Sequence, residues 1–97
     1  MWQMKTNKTD FDQIHTKIRD LLSQSDTPLI LSHVRPDGDA IGSIVGLSLA
    51  LQKKGKNPQM VLTDGLPRKF KSLLGTDQIT QSIKGDYDLV IALDCAD

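Results

Sequence analysis

The chain has 97 residues, 12 basic and 12 acidic side chains, and 38% hydrophobic residues. This length fits one domain with a modest core, and the balanced charge gives no support to a nucleic-acid scaffold or a membrane-surface protein. The single cysteine, Cys95, excludes an internal disulfide, and the polar start lacks the apolar stretch of a signal peptide. The longest nearly apolar stretch, residues 40–51, is too short to span a membrane. We therefore expect a cytoplasmic protein.

The first predicted element is an amphipathic helix over residues 9–24, preceded by a flexible tail over residues 1–8. Its apolar side chains recur at steps of three and four residues, which places them on one face of a helix. They are Phe11, Ile14, Ile18, Leu21 and Leu22. Thr9 or Asp10 is suited to cap the N-terminus of this helix.

Short apolar runs then predict three strands, of which the first is expected to be buried and the last to be covered on both faces. The runs cover residues 29–34, 59–63 and 88–93. Between the first two, residues 39–54 predict a helix that ends at Gly55, a residue type that often terminates helices in the left-handed conformation. Along this helix Gly42, Gly46 and Ala50 form a stripe of small residues, which we expect to lie close to the sheet.

A short helical segment is predicted near residues 68–74, whereas residues 75–86 show no clear pattern. The order is therefore helix, strand, helix, strand, helix, strand. This order predicts a three-layer α/β fold in which right-handed βαβ crossovers connect the strands of a parallel sheet over residues 29–97.

Acidic side chains follow two of the predicted strands. His33 lies at the end of the first strand, Asp37 and Asp39 lie at the start of the second helix, and Asp94 follows the last apolar run. Functional groups of parallel sheets gather where strands end and helices begin, so we expect these four side chains in one crevice. Carboxylates this close repel one another unless a cation neutralises them, and a set that includes imidazole favours Mn²⁺ over Ca²⁺.

A structural interpretation of the same residues is also open. Asp37 and Gly38 could form an ordinary turn, Asp39 could cap the helix, and Asp94 could cap whatever follows the last strand. On this interpretation His33 is a structural histidine.

Two stretches resemble motifs of the DHH phosphoesterase superfamily. The stretch His33-Val-Arg-Pro-Asp-Gly-Asp-Ala-Ile-Gly-Ser43 resembles the first motif, and Leu89-Val-Ile-Ala-Leu-Asp-Cys-Ala-Asp97 resembles the second. The first match is long and specific, whereas the second alone would be weak. The form of the first motif is most similar to that of bacterial enzymes that degrade short oligoribonucleotides and dephosphorylate 3′-phosphoadenosine 5′-phosphate.

The resemblance implies a role for each matching residue. His33 and Asp37 would bind one Mn²⁺, Asp39 would bind a second, and Asp94 would bridge the pair, which makes Asp39 and Asp94 the catalytic aspartates. Ser43 is a weak candidate for a substrate contact. Mg²⁺ and Co²⁺ are alternative ions, and the implied substrates are phosphate esters of nucleotides or short oligonucleotides.

The sequence departs from the family pattern after Asp94. The Asp-His-His triplet, a further aspartate ligand and a substrate-binding domain should follow, but the chain ends at Asp97. We therefore expect the N-terminal part of such an enzyme, which binds Mn²⁺ weakly and hydrolyses nothing at a useful rate alone. An unfinished parallel sheet also exposes an edge strand, which favours self-association as a homodimer.

Three other functions remain as alternatives. A haloacid-dehalogenase-like phosphatase uses an Asp-x-Asp motif, and Asp37-Gly-Asp39 has that spacing, although it does not directly follow a strand. A dinucleotide-binding module is weaker, because glycines 38, 42 and 46 lack the spacing of its fingerprint. The third is a regulatory or assembly fragment without catalytic activity.

Overall fold

The computed structural model describes residues 8–32 and 37–93. Two α-helices, four strands and two short 3₁₀ helices follow one another along these residues. The elements are α1 (Lys8–Gln24), β1 (Pro28–Ser32), α2 (Gly38–Lys53), β2 (Gln59–Val61), the 3₁₀ helices Arg68–Phe70 and Thr76–Gln78, β3 (Ile79–Thr80) and β4 (Leu89–Leu93).

The strands form one sheet in the order β3-β2-β1-β4, and every neighbouring pair is parallel. Ile30 of β1 lies opposite Met60 of β2 on one side and opposite Ile91 of β4 on the other. The expected α/β class and parallel sheet are therefore confirmed, and a parallel sheet with helices fits a three-layer arrangement. The prediction missed β3, which occupies part of the segment without a clear pattern.

Helix α2 provides most of the hydrophobic core. It contacts β1, β2 and β4, and its buried residues pack in one cluster with apolar residues of the sheet. The fully buried members at the centre of this cluster are Ile30, Ile41 and Ile44. The core thus lies between α2 and one face of the sheet.

The stripe of small residues on α2 does not face the sheet, contrary to expectation. Gly42, Gly46 and Ala50 are exposed, and a methyl group built on either glycine would meet no atom within 4 Å. The buried face of the helix instead includes Ile41, Ile44 and Ser48. The larger apolar side chains remove more area from water than glycine does, so they determine which face of α2 lies against the sheet.

The end of α2 matches the prediction closely. Gly55 has φ of +83°, and its N–H donates to the Gln52 carbonyl at 3.0 Å, while the Lys56 N–H donates to the Leu51 carbonyl at 3.1 Å. This pair of hydrogen bonds is a Schellman motif, which satisfies carbonyls that the end of a helix leaves unpaired. The helix ends at Lys53, one residue earlier than expected.

Helix α1 exposes its apolar face among the described residues. Phe11, Ile14, Ile18 and Leu21 are each at least 41% exposed. Only its last turns approach α2, where Leu22 and Leu47 line a shared groove. No helix in residues 8–32 and 37–93 has the length and apolar character needed to cross a bilayer.

Hydrogen bonds connect the chain segments at the N-terminal ends of the strands. The carboxylate of Asp88 accepts from the Ser25 hydroxyl at 2.5 Å, from the Asp26 N–H at 2.7 Å and from the Thr27 N–H at 3.2 Å. On the same edge Lys56 donates to the Ser25 carbonyl at 2.6 Å. The hydroxyl of Ser25, followed by the two backbone N–H groups, lowers the pKa of Asp88 below its ordinary value.

We predict that Asp88→Asn lowers the free energy of unfolding at pH 7 and weakens its dependence on pH. A carboxylate with a lowered folded-state pKa stabilises the fold fully above its unfolded pKa, and this contribution disappears as the pH falls through the folded pKa. Urea unfolding between about pH 7 and about pH 2 measures this, since unperturbed aspartate titrates near pH 4. Asp86→Asn is the control, and equal pH dependence in the two variants would contradict the prediction.

We predict that Ile30→Ala lowers the free energy of unfolding by about 2–5 kcal/mol, because the side chain is 0% exposed and its removal leaves a cavity. Ile18→Ala removes the same atoms from a side chain that is 52% exposed, and should change stability by less than about 0.5 kcal/mol. Urea denaturation of both variants provides the measurement. Similar losses in both would mean that Ile30 is not at the centre of the core.

Candidate functional site

The sheet changes its direction of progression at β1. From β1 the chain passes through α2 to β2 on one side, whereas β4 pairs with β1 on the opposite side. In open α/β sheets, ligands bind outside the C-terminal ends of the strands at such a switch point. At this end Ser32 of β1 lies opposite Leu93 of β4, so the two strands finish side by side.

Two of the expected metal ligands lie outside the described residues. His33 follows Ser32 directly in the sequence, and Asp94 follows Leu93 directly. Each is therefore one peptide bond from a member of the Ser32–Leu93 pair. Cys95 and Asp97 are outside the described residues as well.

Asp37 and Asp39 lie at the N-terminus of α2. Asp37 is the N-cap residue, with extended backbone, and its Oδ1 accepts from the Ala40 N–H at 2.8 Å. The structural interpretation assigned this cap to Asp39, which is wrong, because Asp39 lies within the first turn. Both side chains are exposed, and the positive end of the helix dipole stabilises negative charge at this position.

The described residues do not form a metal site by themselves. Within residues 8–32 and 37–93 no group of three or more metal-ligating side chains is close enough to bind an ion. Asp37 and Asp39 nevertheless offer carboxylate oxygens two positions apart, a donor type that suits Mn²⁺ and Mg²⁺. The donor set thus fits a divalent ion in type, and it needs ligands beyond the described part of the chain.

The hydroxyl of Ser32 is an unusual feature of the β1 end. Its oxygen is buried and has no hydrogen-bond partner among the described residues. Buried polar atoms nearly always have a partner, since leaving one unsatisfied costs about 1–3 kcal/mol. Sequence reasoning did not single out Ser32, because a strand-end serine gives no signal of burial.

Ser43 is exposed on α2, about one turn beyond Asp39. Ser43 thus lies on the same helix as Asp37 and Asp39. Its side chain contributes to no hydrogen bond within the described part of the chain, so a substrate contact for Ser43 stays a prediction.

Phe70 lies against the start of α2, which the sequence did not predict. A methyl group built on Gly38 would be 3.5 Å from its ring, and the Lys69 ammonium lies 5.1 Å from the ring centroid. The first 3₁₀ helix therefore places an aromatic ring near the first residue of α2 and a lysine ammonium over that ring. The basic run at residues 68–71 was the only signal, and such runs usually form a solvated surface.

In comparisons with known proteins, no family model matches this chain, and no curated protein matches it significantly.

We predict that Asp37→Ala lowers the free energy of unfolding by about 1 kcal/mol, because alanine cannot accept the Ala40 N–H. Asp37→Ser should unfold at nearly the same urea concentration as the original chain, since serine caps helices about as well as aspartate. Urea denaturation distinguishes the two variants. A serine variant as unstable as the alanine variant would show that the cap hydrogen bond is not the stabilising feature.

Proposed function

We propose that this chain belongs to a DHH-type metal-dependent phosphoesterase that hydrolyses phosphate esters of nucleotides or short oligonucleotides in the cytoplasm. The observation that carries the proposal is the pairing of Ser32 with Leu93 at the switch point. The first stretch that resembles a family motif follows Ser32 directly in the sequence, and the second begins with the residues of β4. Asp37 and Asp39 lie at the N-terminus of α2, and this helix packs against β1 and β4.

In the proposed site, His33, Asp37, Asp39 and Asp94 would hold two Mn²⁺ ions. Asp37 and Asp39 are fixed relative to β1 because α2 packs on that strand through Ile41 and Ile44. A preorganised pair of carboxylates costs little to order when an ion binds. The α2 N-terminus, in turn, favours the negative charge of a phosphate group.

Two bound divalent ions supply a nucleophilic water and neutralise charge on the phosphoryl oxygens. The residues of this chain would orient the ions, and the N-terminus of α2 would attract the phosphate. Phosphate esters suit such a site, because positioning and electrostatics lower their barrier without a covalent nucleophile from the protein. The resemblance assigns further ligands to a triplet absent from residues 1–97, so we expect weak Mn²⁺ binding and negligible turnover by these residues alone.

The geometry of Asp37 favours this proposal over a haloacid-dehalogenase-like phosphatase. In that class the first aspartate of the Asp-x-Asp motif is the nucleophile and directly follows a strand. Asp37 instead caps α2, five residues after Ser32, and one of its oxygens accepts the Ala40 N–H. A capping carboxylate keeps its second oxygen available to bind a metal ion.

We predict that Asp37→Ser weakens Mn²⁺ binding at least tenfold while stability is retained, because serine preserves the helix cap and removes the carboxylate. His33→Ala, Asp39→Asn and Asp94→Asn should weaken binding similarly. Isothermal titration calorimetry with MnCl₂ measures the affinity.

Asp86→Asn is the matched control, since it removes an exposed carboxylate that precedes β4, whereas Asp94 follows that strand in the sequence. Equal Mn²⁺ affinity of the Asp37→Ser and Asp86→Asn variants would contradict the metal site. It would favour a regulatory or assembly fragment that keeps the fold without the chemistry. Rapid phosphodiester hydrolysis by residues 1–97 would instead contradict the expected inactivity.

A further inference from the structure

The hydroxyl of Ser32 differs from the other buried hydroxyls that the structure describes. Three further hydroxyls belong to side chains that are at most 4% exposed, and each forms a hydrogen bond of 3.0 Å or shorter: those of Ser25, Ser48 and Thr76. The Ser32 oxygen is also buried, but it has no such bond in residues 8–32 and 37–93. The fold therefore satisfies its buried hydroxyls elsewhere and leaves this one without a partner among the described residues.

Ser32 lies where β1 ends and the candidate metal site begins. It is the last residue of the strand, it lies opposite Leu93 of β4, and His33 follows it directly. Because side chains alternate between the two faces of a strand, Ser32 shares the face of Ile30, which belongs to the core cluster between α2 and the sheet. The unpaired hydroxyl is thus on the α2 side of β1, at the end where ligands of α/β sheets bind.

Carboxylates of the proposed metal site belong to the same end of the sheet. Asp37 and Asp39 lie at the N-terminus of α2, and Asp94 follows Leu93, the register partner of Ser32. A carboxylate has about four lone-pair positions, so one that binds an ion can accept a hydrogen bond as well. Such hydrogen bonds fix the orientation of metal-binding carboxylates. A hydroxyl donor at this end of β1 is therefore a group that the proposed site can use.

The unpaired hydroxyl brings no benefit to the metal-free fold. Burial separates it from water, and without a partner this loss of hydration destabilises the folded chain. Alanine would fill the same place in the strand without the unpaired oxygen. Buried polar groups that break the rule of pairing in this way are expected at functional sites, where the partner is a ligand or a group that the ligand orders.

We propose that Ser32 is a positioning residue of the metal site, whose hydroxyl donates a hydrogen bond to a carboxylate that binds an ion and thereby holds this ligand in place. The proposal rests on the proposed function, because the bond forms when the ions order the carboxylates. It adds a residue that neither the candidate ligands nor the resemblance includes. Ser32 itself touches neither the ions nor the substrate, so its loss weakens metal binding without removing a ligand.

Ser32→Ala in the complete chain tests the proposal with two measurements. In EDTA, we expect this variant to unfold at the same urea concentration as the original chain or at a higher one, because it loses an unpaired buried oxygen. In isothermal titration calorimetry with MnCl₂, we expect binding to weaken about 10- to 100-fold, the effect of removing a group that orients a metal ligand.

Ser48→Ala is the matched control, because Ser48 is 0% exposed and its oxygen accepts from the Gln52 amide at 3.0 Å. It should unfold at a lower urea concentration, since it leaves this amide without one of its acceptors, and its Mn²⁺ affinity should stay within about twofold of the original. Ser32→Thr keeps the hydroxyl on a residue type that suits strands. It should therefore bind Mn²⁺ more tightly than Ser32→Ala.

The two measurements separate a positioning serine from one that serves the fold alone. A lower urea midpoint for Ser32→Ala in EDTA, or equal Mn²⁺ affinity of Ser32→Ala and the original chain, would overturn the role of Ser32 and leave the proposed function intact. A Ser32→Thr variant that binds as weakly as Ser32→Ala would also overturn it. Absence of Mn²⁺ binding by the original chain would contradict the proposed function and this role together.

Discussion

The packing of α2 on the central strand β1 is the constraint on which the rest of the structure depends. Ile30 is fully buried between Ile41 and Ile44 of the helix and the neighbouring strands, and it pairs with β2 and β4 at once. Removing this apolar area from water stabilises the helix and the sheet together, since neither would be stable alone. The same packing determines where α2 begins, and therefore where Asp37 and Asp39 lie.

The N-terminal and C-terminal ends of the strands have different roles. At the N-terminal edge, Asp88 and Lys56 connect the end of α1, the start of β1 and the segment after α2 through side-chain to backbone hydrogen bonds. At the C-terminal edge, carboxylates are exposed, and one buried hydroxyl, that of Ser32, has no partner among the described residues. Side-chain hydrogen bonds thus connect distant segments at the N-terminal ends of the strands, whereas exposed carboxylates and an unpaired hydroxyl lie at the C-terminal ends, where α/β proteins bind ligands.

Local rules predicted much of the fold. Alternation of apolar runs and turns located β1, β2 and β4, and Gly55 marked the end of α2, because these signals depend on a few adjacent residues. Strand β3 was missed since two residues, Ile79 and Thr80, are too few to show a period. The prediction that the stripe of small residues faces the sheet was wrong. Spacing shows which residues share a helix face, but it does not show which face packs against the sheet.

The sequence by itself determined the composition of the candidate site: carboxylates at a helix start, an imidazole before them, and another carboxylate after an apolar run. These are properties of neighbours along the chain, and covalent connection fixes them. Only the tertiary structure decided that β4 lies beside β1 rather than beside β3, that the Phe70 ring lies near the start of α2, and that Asp64 borders a cavity. Each is a contact between distant segments, which depends on how the whole sheet buries its apolar surface.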